Sequence, residues 1–185
     1  QTDKANPRPE NLFGHIIEMS PPGGDHGADV FGWDVLIRCG DPRVAPVGAL
    51  WNPATSEHGW FASPDNMAFD NDGRMWIATD QGRGWPKTGK ADGLYHVETE
   101  GEARGTSRLF YRVPVGAELC GPCFTPDGET LFVAVQHPGV DGAKDWKPFG
   151  REPTFDDPPT RWPDFKAGMP PRPAVVAIRK KGGGK

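Results

Sequence analysis

Oxygen-bearing side chains stand at two places one fixed interval apart in this chain, and their chemistry is that of hard-cation ligands. Ser63-Pro64-Asp65-Asn66 opens one run of alternating apolar residues. Gly116-Ala117-Glu118-Leu119-Cys120 opens another, and the position 55 residues after Asp65 falls within two residues of Glu118. Carboxylate and amide oxygens suit Ca2+, which takes about six to eight of them. Asp80 closes the first run, as a further candidate carboxylate, and Gln136-His137-Pro138-Gly139 closes the second at the matching place. An imidazole at His137 could meet a metal or a phosphate oxygen, or move a proton. Each residue also has a plainer reading. Asp and Asn are the commonest turn and cap residues, and composition alone favours that role for Asp65 and Asn66. A single loop histidine is more often structural. Glu118 resists the plainer reading, because its small and apolar neighbours predict partial burial, and a buried carboxylate requires a cation or hydrogen-bond donors. His15, His26, His58 and His96 lack acidic or cysteine partners at ligand spacing and read as structural. No nucleophile elbow, phosphate-binding P-loop or HExxH motif occurs.

The elements that must position these residues form a repeat. Phe69-Asp70-Asn71-Asp72-Gly73-Arg74-Met75-Trp76-Ile77-Ala78 is followed 55 positions later by Phe124-Thr125-Pro126-Asp127-Gly128-Glu129-Thr130-Leu131-Phe132-Val133-Ala134. Asp-Gly between alternating apolar runs predicts a hairpin, because Gly accepts the positive φ that tight turns need. A hairpin recurring every 40 to 55 residues or so is the spacing of β-propeller blades. Further strands are predicted at 14–19, 31–40, 93–98, 108–114 and 173–179, and no amphipathic helix is evident. The fold class is therefore all-β, a partial propeller of about two to three blades with long Gly/Pro-rich loops. Such a piece cannot close a propeller, so the chain reads as part of a larger protein. Residues 1–11 read as linker-like, and 137–172, with eight prolines, as a long loop of the kind that often carries function.

Composition is consistent with short strands and many irregular connections. Gly and Pro make up about a quarter of the 185 residues, yet seven Trp and ten Phe are interleaved with them, which a disordered chain would not show. A net charge of −4 without a basic run argues against nucleic-acid binding. No apolar stretch is long enough for a membrane span. Gln1 in place of Met suggests a start that lies elsewhere, so a leader is neither expected nor excluded here. Cys39, Cys120 and Cys123 are an odd number and imply no disulfide framework. Cys120-Gly121-Pro122-Cys123 spells a thioredoxin-type redox motif, but that chemistry needs a helix N-terminus to lower the thiol pKa. A strand and hairpin follow instead, so the three cysteines read as small buried hydrophobes.

Motifs in order along the chain carry a family resemblance. Asn6-Pro7-Arg8 with Gly14-His15-Ile16-Ile17, Gly23-Gly24-Asp25-His26, Phe31-Gly32-Trp33-Asp34, Gly40-Asp41-Pro42, Phe61-Ala62-Ser63-Pro64-Asp65-Asn66, Trp76-Ile77-Ala78-Thr79-Asp80, Gly116-Ala117-Glu118, Phe124-Thr125-Pro126-Asp127-Gly128 and Gln136-His137-Pro138-Gly139 together resemble the C-terminal part of the PhoX family of alkaline phosphatases. The resemblance implies a six-bladed propeller enzyme that hydrolyses phosphomonoesters with Ca2+ and Fe3+ in its channel. It implies export by the twin-arginine route to the periplasm or beyond, and a monomer at full length. It carries Asp65, Asn66 and Glu118 over as metal or site contributors, with Asp80 and His137 behind them. The family's cysteine ligand to iron belongs to an earlier part of the fold and is none of the three cysteines here. A gluconolactonase-like propeller with one divalent cation, and a non-catalytic propeller that binds partners through its loops, are the alternatives.

Overall fold

The computed structural model describes residues 2–182, and among them nine strands form three antiparallel sheets. β1 (His15–Ser20) pairs with β2 (Gly32–Arg38). β3 (Pro64–Phe69), β4 (Met75–Thr79), β5 (Gly93–Val97) and β6 (Ser107–Arg112) follow one another across a four-stranded sheet. β7 (Glu118–Phe124), β8 (Thr130–Gln136) and β9 (Ala174–Arg179) make a three-stranded sheet. Strands that pair in chain order make the meander of a propeller blade, and the molecule is an all-β partial propeller.

The two repeated hairpins are β3–β4 and β7–β8, and their turns use glycine as the sequence predicts. Gly73 (φ 78°) and Gly128 (φ 70°) both occupy the left-handed region. The Gly73 amide donates to the Asp70 carbonyl at 3.0 Å, and the Gly128 amide to the Thr125 carbonyl at 2.8 Å. In the first turn the Asp70 side chain accepts from the amides of Asp72 and Arg74, from the Arg74 guanidinium and from the Trp76 indole, so one carboxylate closes the loop.

Blade stacking is written in β4. All five of its residues are buried, because alternate side chains leave a strand on opposite faces and both faces are covered. Met75 and Ile77, with Tyr95 and Val97 of β5, pack towards the β1–β2 sheet through Ile16, Ile37, Cys39 and Phe61. Trp76, Ala78 and Leu94 pack the other way, onto Leu119, Leu131, Val133 and Val135 of β7 and β8. The burial of each such aliphatic side chain is worth about 1.5–3 kcal/mol, so these two seams hold the sheets face to face.

Several sequence readings shift on inspection. The segments that open the two runs are themselves strand: Pro64, Asp65 and Asn66 lie within β3, and Glu118 is the first residue of β7. Hydrogen-bonded pairing with the neighbouring strand extends each hairpin to the loop end. The loop between β4 and β5 contains a short helix, α1 (Trp85–Thr88), started by Pro86 and stopped by Gly89 in the left-handed region. Residues 137–172 hold turns but neither strand nor helix, as expected. In the linker-like 1–11 segment, Arg8 is buried and its guanidinium donates to the carbonyls of Cys39, Val47 and Gly14. A guanidinium carries five donors, so one side chain ties three separate loops. The expectation of three buried cysteines holds for Cys39 alone, since Cys120 is half-buried and Cys123 exposed. The extra residue in β7 accounts for this: Cys120 pairs with Ala134 and Cys123 with Phe132, which turns both thiols to the outer face of the sheet. The CxxC segment is strand, as its sequence context predicts.

Candidate functional site

The loop ends of β3, β4, β7 and β8 meet where two blades adjoin, and this brings the acidic residues into one region. β3 and β7 are the first strands of their sheets, and they pack against each other. Each carries one extra residue near its start. In β3, Pro64 pairs with Thr79 and Asn66 with Ala78, which leaves Asp65 as the bulged residue. In β7 the irregularity falls between Cys120 and Cys123. A bulge re-aims side chains and is common beside functional sites. Asn66, half-buried, accepts a hydrogen bond from the Gly121 amide at 3.0 Å and so joins the two bulges across the blade boundary. Asp65 itself is exposed.

Glu118 is the centre of the best-defined cluster. Its side chain is 14% exposed, as its neighbours in sequence predict. One oxygen accepts from the Cys120 thiol at 2.9 Å. The other accepts from the Gln136 amide at 2.8 Å and lies 3.3 Å from His137 Nε2. Burial first, and then the hydrogen bond to Glu118, push the Cys120 thiol up to about 12, so it remains an S–H donor to the carboxylate. The other ring nitrogen of His137, Nδ1, stands 3.8 Å from a carboxylate oxygen of Asp141. The imidazole is thus held between two carboxylates, an arrangement that fixes its plane.

Asp80 completes the region. Its amide donates to the Ser63 carbonyl at 3.1 Å, and its carboxylate accepts from the Gly82 amide at 2.8 Å. Burial raises its carboxyl above the ordinary range, and the charges of Glu118, Asp141 and Asp65 raise it further. Four carboxylates from two adjacent blades therefore share one field. Backbone conformation at the site is also unusual. Ser63 (φ 51°), just before β3, and His137 (φ 35°), just after β8, are two of the four non-glycine residues at positive φ among those described. Side chains there pay for that conformation in strain, which is common at ligand sites.

All five residues singled out in the sequence fall in this region, but they do not form one finished coordination shell. Among the described residues, no three His, Cys, Asp or Glu side chains converge closely enough to hold a metal ion. The donor set nonetheless fits a hard cation, being carboxylate and amide oxygen, and the raised Asp80 carboxyl reflects burial first and then neighbouring negative charge, both of which a bound cation would offset. Asp141 and the thiol of Cys120 had no expected role. The only sequence signal for Asp141 is its position four residues after His137 in a loop too irregular to fix any geometry. His96, read as structural, has its Nε2 3.6 Å from Glu98 but makes no hydrogen bond there.

Comparison with known proteins decides the family. A sequence profile described as "Alkaline phosphatase PhoX" matches residues 1–139, which takes in Asp65, Asn66, Asp80, Glu118 and His137. The chain belongs to the PhoX family. It is similar to a solved structure from Pseudomonas fluorescens, PhoX in complex with vanadate, a transition state analogue, at 30% identity and a TM-score of 0.75. That likeness covers 97% of this chain and 28% of the solved one, so the chain spans little more than a quarter of that PhoX. No curated protein matches the chain. The agreement extends over all three sheets, and the resemblance stated from motifs alone is borne out.

Proposed function

We propose that this chain forms the C-terminal portion of a PhoX-type alkaline phosphatase, an exported enzyme that hydrolyses phosphomonoesters. The observation that carries the reading is the meeting of Asp65, Asp80, Glu118 and Asp141 at the loop ends of two adjoining blades, with Asp80 destabilised as an anion there. Phosphoryl transfer needs neutralisation of the non-bridging oxygens and in-line positioning more than covalent help, and cations held by carboxylates supply both. Asp65, Asn66 and Glu118, with Asp80, would hold such ions in this chain, and the remaining ligands would come from other parts of the propeller. Bound Ca2+, with Fe3+ as the family resemblance suggests, would supply charge neutralisation and activation of an attacking oxygen. His137, which stands between Glu118 and Asp141, would hold or pass a proton at Nε2 or orient Glu118. Substrates would be small phosphate esters, the intact enzyme a monomer, and its location the periplasm or the exterior after twin-arginine export. Among the described residues no helix is long and apolar enough to cross a membrane.

The test is turnover of p-nitrophenyl phosphate by the intact protein, with elemental analysis, before and after EGTA. Activity lost to the chelator, restored by calcium and blocked by vanadate supports the reading. Lactone hydrolysis with a single bound divalent ion and no phosphatase turnover would replace it with the gluconolactonase-like alternative. Absence of bound metal would leave a non-catalytic propeller.

A further inference from the structure

Between Asp80 of one blade and Asp141 of the next runs a single loop, residues 80–92, and its two ends are tied in different ways. At its base stands Asp92, which is 2% exposed. Its carboxylate accepts from the Thr79 hydroxyl at 2.6 Å, from the Gln81 amide at 3.1 Å and from the Gln81 side-chain amide at 3.1 Å. Thr79 and Gln81 are the residues on either side of Asp80, so one buried carboxylate fastens both of its flanks. The Thr79 hydroxyl in turn accepts from the Gly93 amide at 3.1 Å, which locks the clasp to the start of β5. Gln81 also donates to the Lys90 carbonyl at 3.0 Å and accepts from the Thr88 hydroxyl at 2.7 Å, which closes the loop upon itself.

At the tip of the loop stands Trp85, 3% exposed. Its indole N–H crosses to the neighbouring blade and donates to the Asp141 carbonyl at 2.7 Å. A Cβ on Gly142 (φ 61°) would sit 2.8 Å from that indole nitrogen and 2.9 Å from Pro86, so only glycine allows the approach. The Asp141 amide is itself fixed to the Gly116 carbonyl at 3.1 Å, two residues before Glu118.

We propose that loop 80–92 is a positioning device for the site: Asp92 sets Asp80 from within its own blade, and Trp85 sets Asp141 and the His137 it faces in the next. Neither residue touches the reacting centre. Both act through backbone and hydrogen bonds, as outer partners of ion-binding residues do, and loss of such partners costs about 10- to 100-fold in metal affinity. The proposal rests on the phosphatase reading for its consequence in calcium binding, but not for its mechanical claim.

Hydrogen exchange with mass spectrometry and calcium titration on the intact protein test it together. Asp92→Asn removes the charge and turns an NH2 group upon the Gln81 amide, which both carboxylate oxygens share; it should speed exchange at 79–92 and also at 137–143, and weaken calcium binding about tenfold or more. Trp85→Phe, which removes only the indole donor and part of the ring, should speed exchange at 137–143 while leaving 79–81 protected. Thr79→Val should act like Asp92→Asn, and Thr79→Ser, which keeps the hydroxyl, should restore wild-type behaviour. If Asp92→Asn does not fold, Thr79→Val and Trp85→Phe still decide the matter. Unchanged exchange at 137–143 in those variants, or wild-type calcium affinity in all of them, would overturn the positioning role. A wild-type protein that binds no calcium would overturn the phosphatase reading instead, while the exchange comparison still decides the mechanical claim.

Discussion

Asn66 and Gly121 are joined by a 3.0 Å hydrogen bond between neighbouring blades, and they are 55 residues apart. At the opposite end of the same strands the Asn71 side chain donates to the Pro126 carbonyl at 3.2 Å, again across 55 residues. The sequence interval of the repeat is thus also its spatial interval, since a residue in one blade touches its counterpart in the next. Asn66→Ala removes the acceptor at a half-buried site and should cost about 1 kcal/mol in denaturant unfolding. Asn66→Asp keeps an oxygen there and should cost less in the same measurement. Equal losses in both variants would show that the bond does not contribute.

Glu118 accepts from Cys120 and Gln136 and faces His137. Glu118→Gln keeps its shape and removes its charge. Phosphatase turnover of the intact enzyme should fall more than tenfold, with an unchanged circular dichroism spectrum and less bound calcium. Wild-type turnover together with wild-type metal content would remove Glu118 from the site.

Gly116 is a second place where a side chain has no room. At φ 69°, a Cβ there would meet the Val140 amide nitrogen at 2.8 Å and the Asp141 carbonyl oxygen at 3.0 Å. Both are backbone atoms and cannot rotate away. Gly116→Ala should destabilise by about 1–3 kcal/mol, from positive φ and overpacking together. It should also reduce activity, because the displaced backbone carries Asp141. A neutral effect on both would contradict the packing described.

Asp92 gives the fold a pH signature. Burial pushes its carboxyl up from 3.8 to about 6. Between those values the folded protein holds this proton more tightly than the unfolded chain does, so the unfolded state binds fewer protons. Stability from this group is therefore fully present below about pH 4 and falls as pH rises to about 6, by about 3 kcal/mol at most. Denaturant midpoints of wild type and Asp92→Asn, compared from pH 4 to 7, should converge as pH rises. Parallel profiles would show that Asp92 does not titrate in this window.

The hairpins were legible because their signals are local. Asp72-Gly73 and Asp127-Gly128 set the turns, and the short apolar run Met75–Ala78 and the alternation in Thr130–Gln136 set the strands. Glu118 was legible for a related reason, since small and apolar neighbours forecast its partial burial. What stayed hidden depends on contacts between distant segments. Asp141 lies in a loop without periodicity, and its place is set by Trp85, 56 residues away, and by Gly116. Asp92 sits in a Gly/Pro-rich stretch where an aspartate normally signals a turn. Only the return of the chain to Thr79 buries it. Exposure of Cys123 followed from an extra residue in β7, and register irregularities leave no mark in a hydrophobic pattern.

The double coverage of β4 has a consequence for how the protein is made. Until β7 and β8 emerge from the ribosome, Trp76, Ala78 and Leu94 have no cover, and a nascent chain ending near residue 112 would be sticky on that side. Each sheet then serves as the mould on which the next is cast. Synthesis that stalls between residues 112 and 136 should be the moment at which chaperones engage this polypeptide most strongly.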